Sequence, residues 1–508
     1  MKKAPSGISP IITIDKKDSK PLYQQVCESY RQAILDGNLG AGQRVPSTRV
    51  LADELGISRI PVLTAYSQLL AEGYFESRVG SGTIVSRSLP GRSALVRSRS
   101  RKRAKLNPDR RPVSKASLIL SSTSTLYRPR GWGAFALSQI AFDHFPFRIW
   151  NRLVTHHCRS IRAASLDYGD PMGSEDLRNA IAVHLRTARG VRCEAEQIMI
   201  VSGTQEALDI SVRVLLDPGD SIWIEEPCYR LTRALFGFCG CRGVPVPVDS
   251  EGLNVAAGMK RCRNARAALV TPSHHYPLGV TMSASRRVQL LDWAEKCGSW
   301  IIEDDYDSEY RYESMPITSL QGLDPNSRVI YMGTFSKVLF PSLRLGYLVV
   351  PADLVGHFAA ARLASKISPP GFFQLVLADF IREGHFARHI RRMRSVYSER
   401  RDVLVNSINL ELGSEANVVG EQAGLHLSVI LKGISDVEIA EQASLENLWL
   451  LPLSPFYRDS PNQKGFVLGF GSTSTKEIPR AVRKMRDLLR RMKDGAANLS
   501  DFPQLVEL

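Results

Sequence analysis

From about residue 116 to 492, short apolar runs alternate with helix-length segments. This alternation constrains the fold more than any other feature of the 508-residue chain. The runs fall at 197–201, 221–225, 267–271, 300–303, 329–332 and 345–350, and segments such as 205–216 and 285–297 lie between them. Strands buried on both faces read as nearly continuous apolar runs, and strands separated by helices build parallel βαβ units. The pattern predicts a large α/β domain with a mostly parallel sheet over about 165–365. Beyond residue 364 the sequence turns helical, including an arginine-rich stretch at 388–406, and strand-like runs follow at 425–430 and 466–470. That predicts a smaller α+β domain, mainly over 366–492, ahead of a tail at 493–508.

The segment 11–86 reads differently. Residues 22–35 are helix-periodic and end at Gly37, Gly40 and Gly42. Ser47 suits the N-cap of a helix over 48–55 that Gly56 stops. Ser58 suits the cap of a third helix over 59–72, with Pro61 in its first turn and Gly73 at its end. Two short strands, 74–77 and 83–86, then flank Gly80-Ser81-Gly82. Helix, helix, tight turn, helix and hairpin make a winged helix-turn-helix. Arg44, Ser47, Arg49, Ser58 and Arg59 gather around the turn, and arginines opening a recognition helix suit bidentate contact with guanine. The wing tip around Gly80 lacks bulk, so backbone there can approach a groove closely. These features predict a double-stranded DNA partner.

Between the two regions, residues 87–115 hold eleven Lys or Arg against one acidic residue, Asp109. Of a net charge of +15, this stretch supplies about ten and the rest of the chain about five. Such composition predicts a disordered cationic connector beside a polyanion. The eight cysteines contain no C-x-x-C, which argues against a zinc site or disulfide framework and for reduced cytoplasmic thiols. No run approaches the roughly 18 apolar residues of a membrane span, and the N-terminus lacks an apolar signal-peptide core.

Five motifs sit just after predicted strands, where ligands bind in open α/β sheets. Ser202-Gly203-Thr204-Gln205 opens a helix and offers backbone N–H groups to a phosphate. Glu226-Pro227-Cys228-Tyr229 supplies an aromatic ring that can lie on a flat cofactor. Tyr276, or a neighbouring histidine of the loop 271–279, can reach a phenolic oxygen. Glu303-Asp304-Asp305-Tyr306 brings a carboxylate that can bond a pyridinium nitrogen and so make the ring an electron sink. Thr334-Phe335-Ser336-Lys337, with Arg344 seven residues on, combines a lysine able to form an imine with hydroxyls and a cation for a phosphate. Together these point to pyridoxal 5′-phosphate (PLP).

The run from Leu22 to Thr83, with Val45-Pro46-Ser47-Thr48-Arg49 and Leu55-Gly56-Ile57-Ser58-Arg59, resembles the GntR family of bacterial regulators. The cofactor motifs, together with Asp167-Tyr168 and His389-Ile390-Arg391-Arg392-Met393-Arg394, resemble the MocR branch of that family, which fuses a winged helix to a class I aminotransferase-like domain of PLP fold type I. The resemblance implies a Lys337 aldimine, Asp304 at the pyridine nitrogen, Tyr306 and Tyr276 at the phenolic oxygen and Tyr229 against the ring. It places Gly203, Thr204, Ser336 and Arg344 at the phosphate, with Tyr168 reaching it from the partner of a head-to-tail homodimer. Two positions depart from the family. Ile60-Pro61 stands where a small polar residue is usual, and the strand 466–470 lacks the arginine with which aminotransferases grip an α-carboxylate; Arg230, Arg233 and Arg458 are substitutes to consider. The implied function is a bacterial, cytoplasmic, nucleoid-associated regulator that senses PLP, an amine or an amino acid through Lys337. The alternative is a working aminotransferase that also binds DNA.

Overall fold

The computed structural model describes residues 9–78, 82–88, 113–121, 133–137, 139–162, 169–312, 317–365, 369–458 and 461–500. The chain divides into two compact units, Met1–Pro112 and Val113–Leu508. Most of the predicted connector, 89–112, and the end of the tail, 501–508, lie outside the described residues.

In the first unit, helices α1 (Leu22–Leu35), α2 (Thr48–Leu55) and α3 (Arg59–Ala71) precede an antiparallel hairpin of β1 (Phe75–Arg78) and β2 (Gly82–Val85). The order is the predicted winged helix-turn-helix. Its core centres on three rings. Tyr30, Tyr66 and Phe75 meet edge-on with centroids 5.2–5.8 Å apart, and the Tyr66 hydroxyl donates to the Pro46 carbonyl at 2.9 Å. Ser47 caps α2, its Oγ accepting the Val50 N–H at 3.3 Å, and Gly56 ends that helix at φ +59°, a conformation glycine adopts without strain. Ser58 occupies the cap position of α3 but makes no side-chain cap bond, which corrects the sequence expectation. The cause is local: a cap oxygen takes the N–H of the second or third helical residue, and the third is Pro61, which has none.

The second unit is built on an eight-stranded sheet: β3 (Ile198–Val201), β4 (Ser221–Glu226), β5 (Arg242–Asp249), β6 (Gly252–Leu253), β7 (Ala267–Val270), β8 (Trp300–Asp305), β9 (Val329–Thr334) and β10 (Gly346–Val349). Their order is β3-β10-β9-β8-β7-β4-β5-β6. Strands β5, β4, β7, β8 and β9 run parallel, while β10 is antiparallel to both β9 and β3. Strand β3 therefore runs the same way as β9, and the carboxyl ends of β3, β4, β7, β8 and β9 share one edge. Alternate residues feed opposite faces, as the pleat requires. Ile198, Ile200, Tyr331 and Tyr347 enter one core, whereas Met199, Val201, Ile330, Met332 and Leu348 enter another. Strand β5 was not foreseen, because Pro245 and Pro247 lower its strand signal. It tolerates them since β6 covers only Val248 and Asp249 on its outer side.

The smaller sheet is antiparallel, β11 (Ala416–Val419), β12 (His426–Leu431), β14 (Gly465–Gly469) and β13 (Leu451–Pro452) in that spatial order. It recruits chain from far upstream: the N–H groups of Gly469 and Trp449 donate to the carbonyls of Phe135 and Ala134 at 3.0 and 2.9 Å. The small domain thus includes residues near 135 that the sequence reading did not assign to it. Among the described residues no helix is long and apolar enough to cross a membrane.

Replacing Ser47 with alanine removes the one cap bond of the α2 N-terminus. It is expected to destabilise the first unit by about 1 kcal/mol, read as a lower denaturant midpoint at unchanged slope.

Candidate cofactor site

The carboxyl edge of the large sheet encloses a cavity of about 330 Å³. Of the cofactor residues expected from sequence, Gly203, Thr204, Tyr229, Tyr276, Asp304, Tyr306, Thr334, Ser336, Lys337 and Arg344 all line it, from the ends of β3, β4, β7, β8 and β9 and the start of β10. Tyr168 lies outside the described residues.

One end of the cavity suits a phosphate. Gly203, at φ +133°, precedes the twelve-residue helix Thr204–Leu215, so free backbone N–H groups and the positive end of the helix dipole face the cavity edge. The backbone is packed tightly there: a Cβ on Gly346 would sit 2.8 Å from the Gly333 carbonyl oxygen and 3.1 Å from the Gly203 Cα. The Thr334 hydroxyl accepts the Ser336 N–H at 3.2 Å, which fixes the hydroxyl-bearing turn before Lys337. Arg344 takes a left-handed backbone, φ +51°, at a cost of roughly 1–2 kcal/mol for a residue with a Cβ. A strained arginine at a cavity mouth fits a binding role better than a packing one.

The other end suits a heteroaromatic ring. Asp304 is the penultimate residue of β8, and its buried Oδ1 has no hydrogen-bond partner among the described residues. Burial pushes its carboxyl up to about 8, with Asp305 and Asp307 adding to the effect and Lys337 opposing it. An orphaned acid of this kind is satisfied by a protonated ring nitrogen, so the residues present fit PLP. Burial lowers the Lys337 ammonium below its ordinary value, against the pull of Asp307 and then Asp304. A lysine held toward its neutral form is a competent nucleophile. Tyr276 stands between Tyr229 and Tyr306, at centroid distances of 5.7 and 6.1 Å and nearly perpendicular to both.

Sequence reasoning missed three groups. Glu225, buried and pushed up to about 7 by that burial, accepts from the Thr271 N–H and hydroxyl at 3.0 and 2.6 Å, tying β4 to the loop after β7. Thr232 also lines the cavity. His274 and Asp307 pair behind Tyr306. Glu225 lay hidden as the last residue of an apolar strand. None of the three candidate carboxylate-gripping arginines lines the cavity. Arg233 donates to Glu226 and the Phe456 carbonyl, both at 3.0 Å, the Arg458 guanidinium donates to the Gly243 carbonyl at 3.2 Å, and Arg230 opens the helix Arg230–Phe238. Arg344 is the only arginine among the described lining residues. Farther off, Arg388, Arg391 and Arg392 are exposed, whereas Arg400 is buried and Arg401 lies over the Tyr312 ring at 4.8 Å.

On the winged unit, Arg44, Ser47, Arg49, Ser58 and Arg59 are all exposed, and the Arg59 Nε donates to Thr48 Oγ1 at 3.2 Å, linking α3 to α2. Gly80 lies outside the described residues. Ile60 and Leu63 are 72% and 42% exposed on the same outer face of α3. Exposed apolar side chains of this kind are suited to contact with thymine methyl groups.

The fold and its cavity define a PLP fold type I domain carried with a winged helix-turn-helix. The family described as "Aminotransferase class I and II" matches residues 157–484, and "Bacterial regulatory proteins, gntR family" matches residues 22–85. The chain is 37% identical to the "Probable rhizopine catabolism regulatory protein MocR" of Rhizobium meliloti, over 96% of this chain and 97% of that one. It is 31% identical to the "HTH-type pyridoxine biosynthesis transcriptional regulator PdxR" of Corynebacterium glutamicum, over 91% and 94%. Among solved structures, a kynurenine aminotransferase of Pyrococcus horikoshii in complex with PMP matches with a TM-score of 0.66 at 25% identity, covering 76% of this chain and 96% of that one. The chain belongs to the MocR branch of the GntR regulators.

Lys337→Ala is expected to abolish the visible absorbance that the protein gains on adding PLP and removing the excess. An unchanged spectrum would contradict the assignment of Lys337.

Proposed function

We propose that this protein is a transcription regulator whose winged unit binds operator DNA and whose aminotransferase-like domain senses PLP, or an amine reacting with it, at Lys337. One observation carries the reading: a cavity fitted for PLP, with Arg344 the only arginine among its described lining residues, shares its chain with an exposed set of side chains suited to reading DNA. The match to relatives named as regulators over more than nine-tenths of the chain supports it.

Bound in the cavity, PLP supplies an aldehyde that condenses reversibly with amines and a ring that withdraws electrons. The chain's own groups bind and orient it. Gly203, Thr204, Thr334, Ser336 and Arg344 would hold the phosphate. Asp304 would keep a proton at the ring nitrogen, and Tyr229 would lie against the ring. Lys337, kept toward its neutral form by burial, would offer its Nζ to the aldehyde, with Tyr276 and Tyr306 bordering the space that an amine would enter. The effector shifts domain populations by its differential affinity for them. A head-to-tail homodimer with Tyr168 completing the partner's phosphate site, and a cytoplasmic, nucleoid-associated location, belong to the same proposal. So do the domain limits 11–86, 87–115 and 116–492.

A second reading, a working aminotransferase, is favoured by the intact Asp304, Lys337 and Arg344. Steady turnover of any amino acid and keto acid pair would decide for it. For the regulator, footprinting upstream of its own gene defines the operator. Arg49→Ala with Arg59→Ala is then expected to weaken operator binding at fixed salt by about tenfold or more, since a good bidentate contact is worth about 1–3 kcal/mol. Unaltered affinity would contradict the DNA reading.

A further inference from the structure

Behind the cavity wall sits a buried pair, His274 and Asp307. The His274 Nδ1 lies 3.1 Å from both carboxylate oxygens of Asp307, and both side chains are almost wholly buried. Asp307 Oδ2 also accepts the Leu425 N–H at 3.3 Å, which anchors it to the small domain ahead of β12. The Tyr306 hydroxyl, on the cavity side, donates to the His274 carbonyl at 2.9 Å and lies 3.3 Å from His274 Nδ1. The space around the pair is closed: a Cβ on Gly424 would fall 2.2 Å from His274 Nδ1 and 2.4 Å from Asp307 Oδ2.

We infer that Asp307 and His274 form a positioning pair for the PLP site, holding Tyr306 in place and setting the negative potential at the nitrogen of Lys337. The inference rests on the PLP reading above. The pair couples to each neighbour separately. Asp307 is the foremost charge favouring the protonated form of Lys337, ahead of Asp304, and it also leads the charges that raise Tyr306. The other titratable groups around the pair are His426, whose ring centroid is 4.6 Å from that of His274, His275 beside His274, and Asp304, Glu309, Tyr310 and Tyr312, each of which feels the Asp307 charge. Burial holds His426 and His275 toward their neutral forms, so neither offsets the Asp307 charge near neutral pH. Little solvent screens a charge so deeply buried, so the Asp307 side chain reaches Lys337 with less attenuation than a surface carboxylate would. It therefore governs how readily the Lys337 nitrogen keeps its proton once PLP is in place, and with it the pH at which the visible band of the loaded protein changes.

The test is a pH titration of that band in the PLP-loaded full chain, comparing wild type with Asp307→Asn, His274→Gln and Asp307→Glu. Removing a nearby opposite charge destabilises a protonated nitrogen, so Asp307→Asn is expected to lower the midpoint by about one unit or more. Asp307→Glu should recover most of the shift, and His274→Gln should move it less. Equal midpoints in wild type and Asp307→Asn would overturn the inference. So would a shift that Asp307→Glu fails to recover while circular dichroism and PLP uptake stay normal. Should Asp307→Asn not fold, a His274→Gln midpoint equal to that of wild type overturns it and a lowered one supports it. If wild type itself takes up no PLP, the functional reading fails, which is a different result from equal midpoints in loaded proteins.

Discussion

The parallel register of β8 against β9 sets everything at the site. Glu303 pairs with Tyr331, Asp304 with Met332 and Asp305 with Gly333. Because successive residues of a strand face opposite ways, this register sends Asp304 into the cavity and Asp305 to the other face. There Asp305 Oδ2 accepts from the Arg189 Nε at 2.9 Å and the Tyr331 hydroxyl at 2.5 Å. A slip of one residue would carry Asp304 off the cavity face and take Asp305 away from Arg189 and Tyr331. The same register delivers Thr334, Ser336 and Lys337 beside Asp304. The antiparallel β10 then brings Arg344 back to the edge where β3 presents Gly203.

Burial gives these groups their chemistry. Asp304 is held toward its protonated form and Lys337 toward its neutral form by the same loss of solvent, each moderated by the other's charge. An acid and a base driven toward each other's protonation state mark a site adapted to proton and carbonyl chemistry, since a structural ion pair would pull both the other way.

Much of this was legible in the sequence. The winged head was clear because caps, glycines and apolar spacing agree at every level, and the cofactor motifs were clear because strand-end loops are short and chemically distinctive. The failures have physical causes. Ser58 sits at the cap position but makes no cap bond, and Pro61 removes one of the two N–H groups it could have met. Strand β5 was hidden by two prolines that an edge tolerates. The joining of residues near 135 to the small sheet depends on pairing over more than three hundred positions, which no local pattern encodes. The choice of Asp304 over Asp305 came from the family resemblance and not from local pattern, and nothing local showed that His274 and Asp307, thirty-three residues apart, would pair behind it.

A switch of this kind requires DNA and PLP to bind two coupled units of one chain. Equilibrium titration of PLP into the protein, with and without saturating operator duplex at fixed salt, tests it most directly. The account predicts unequal PLP affinities, differing by the same factor by which PLP changes operator affinity, typically about 5- to 150-fold. Equal PLP affinities with and without operator would contradict it.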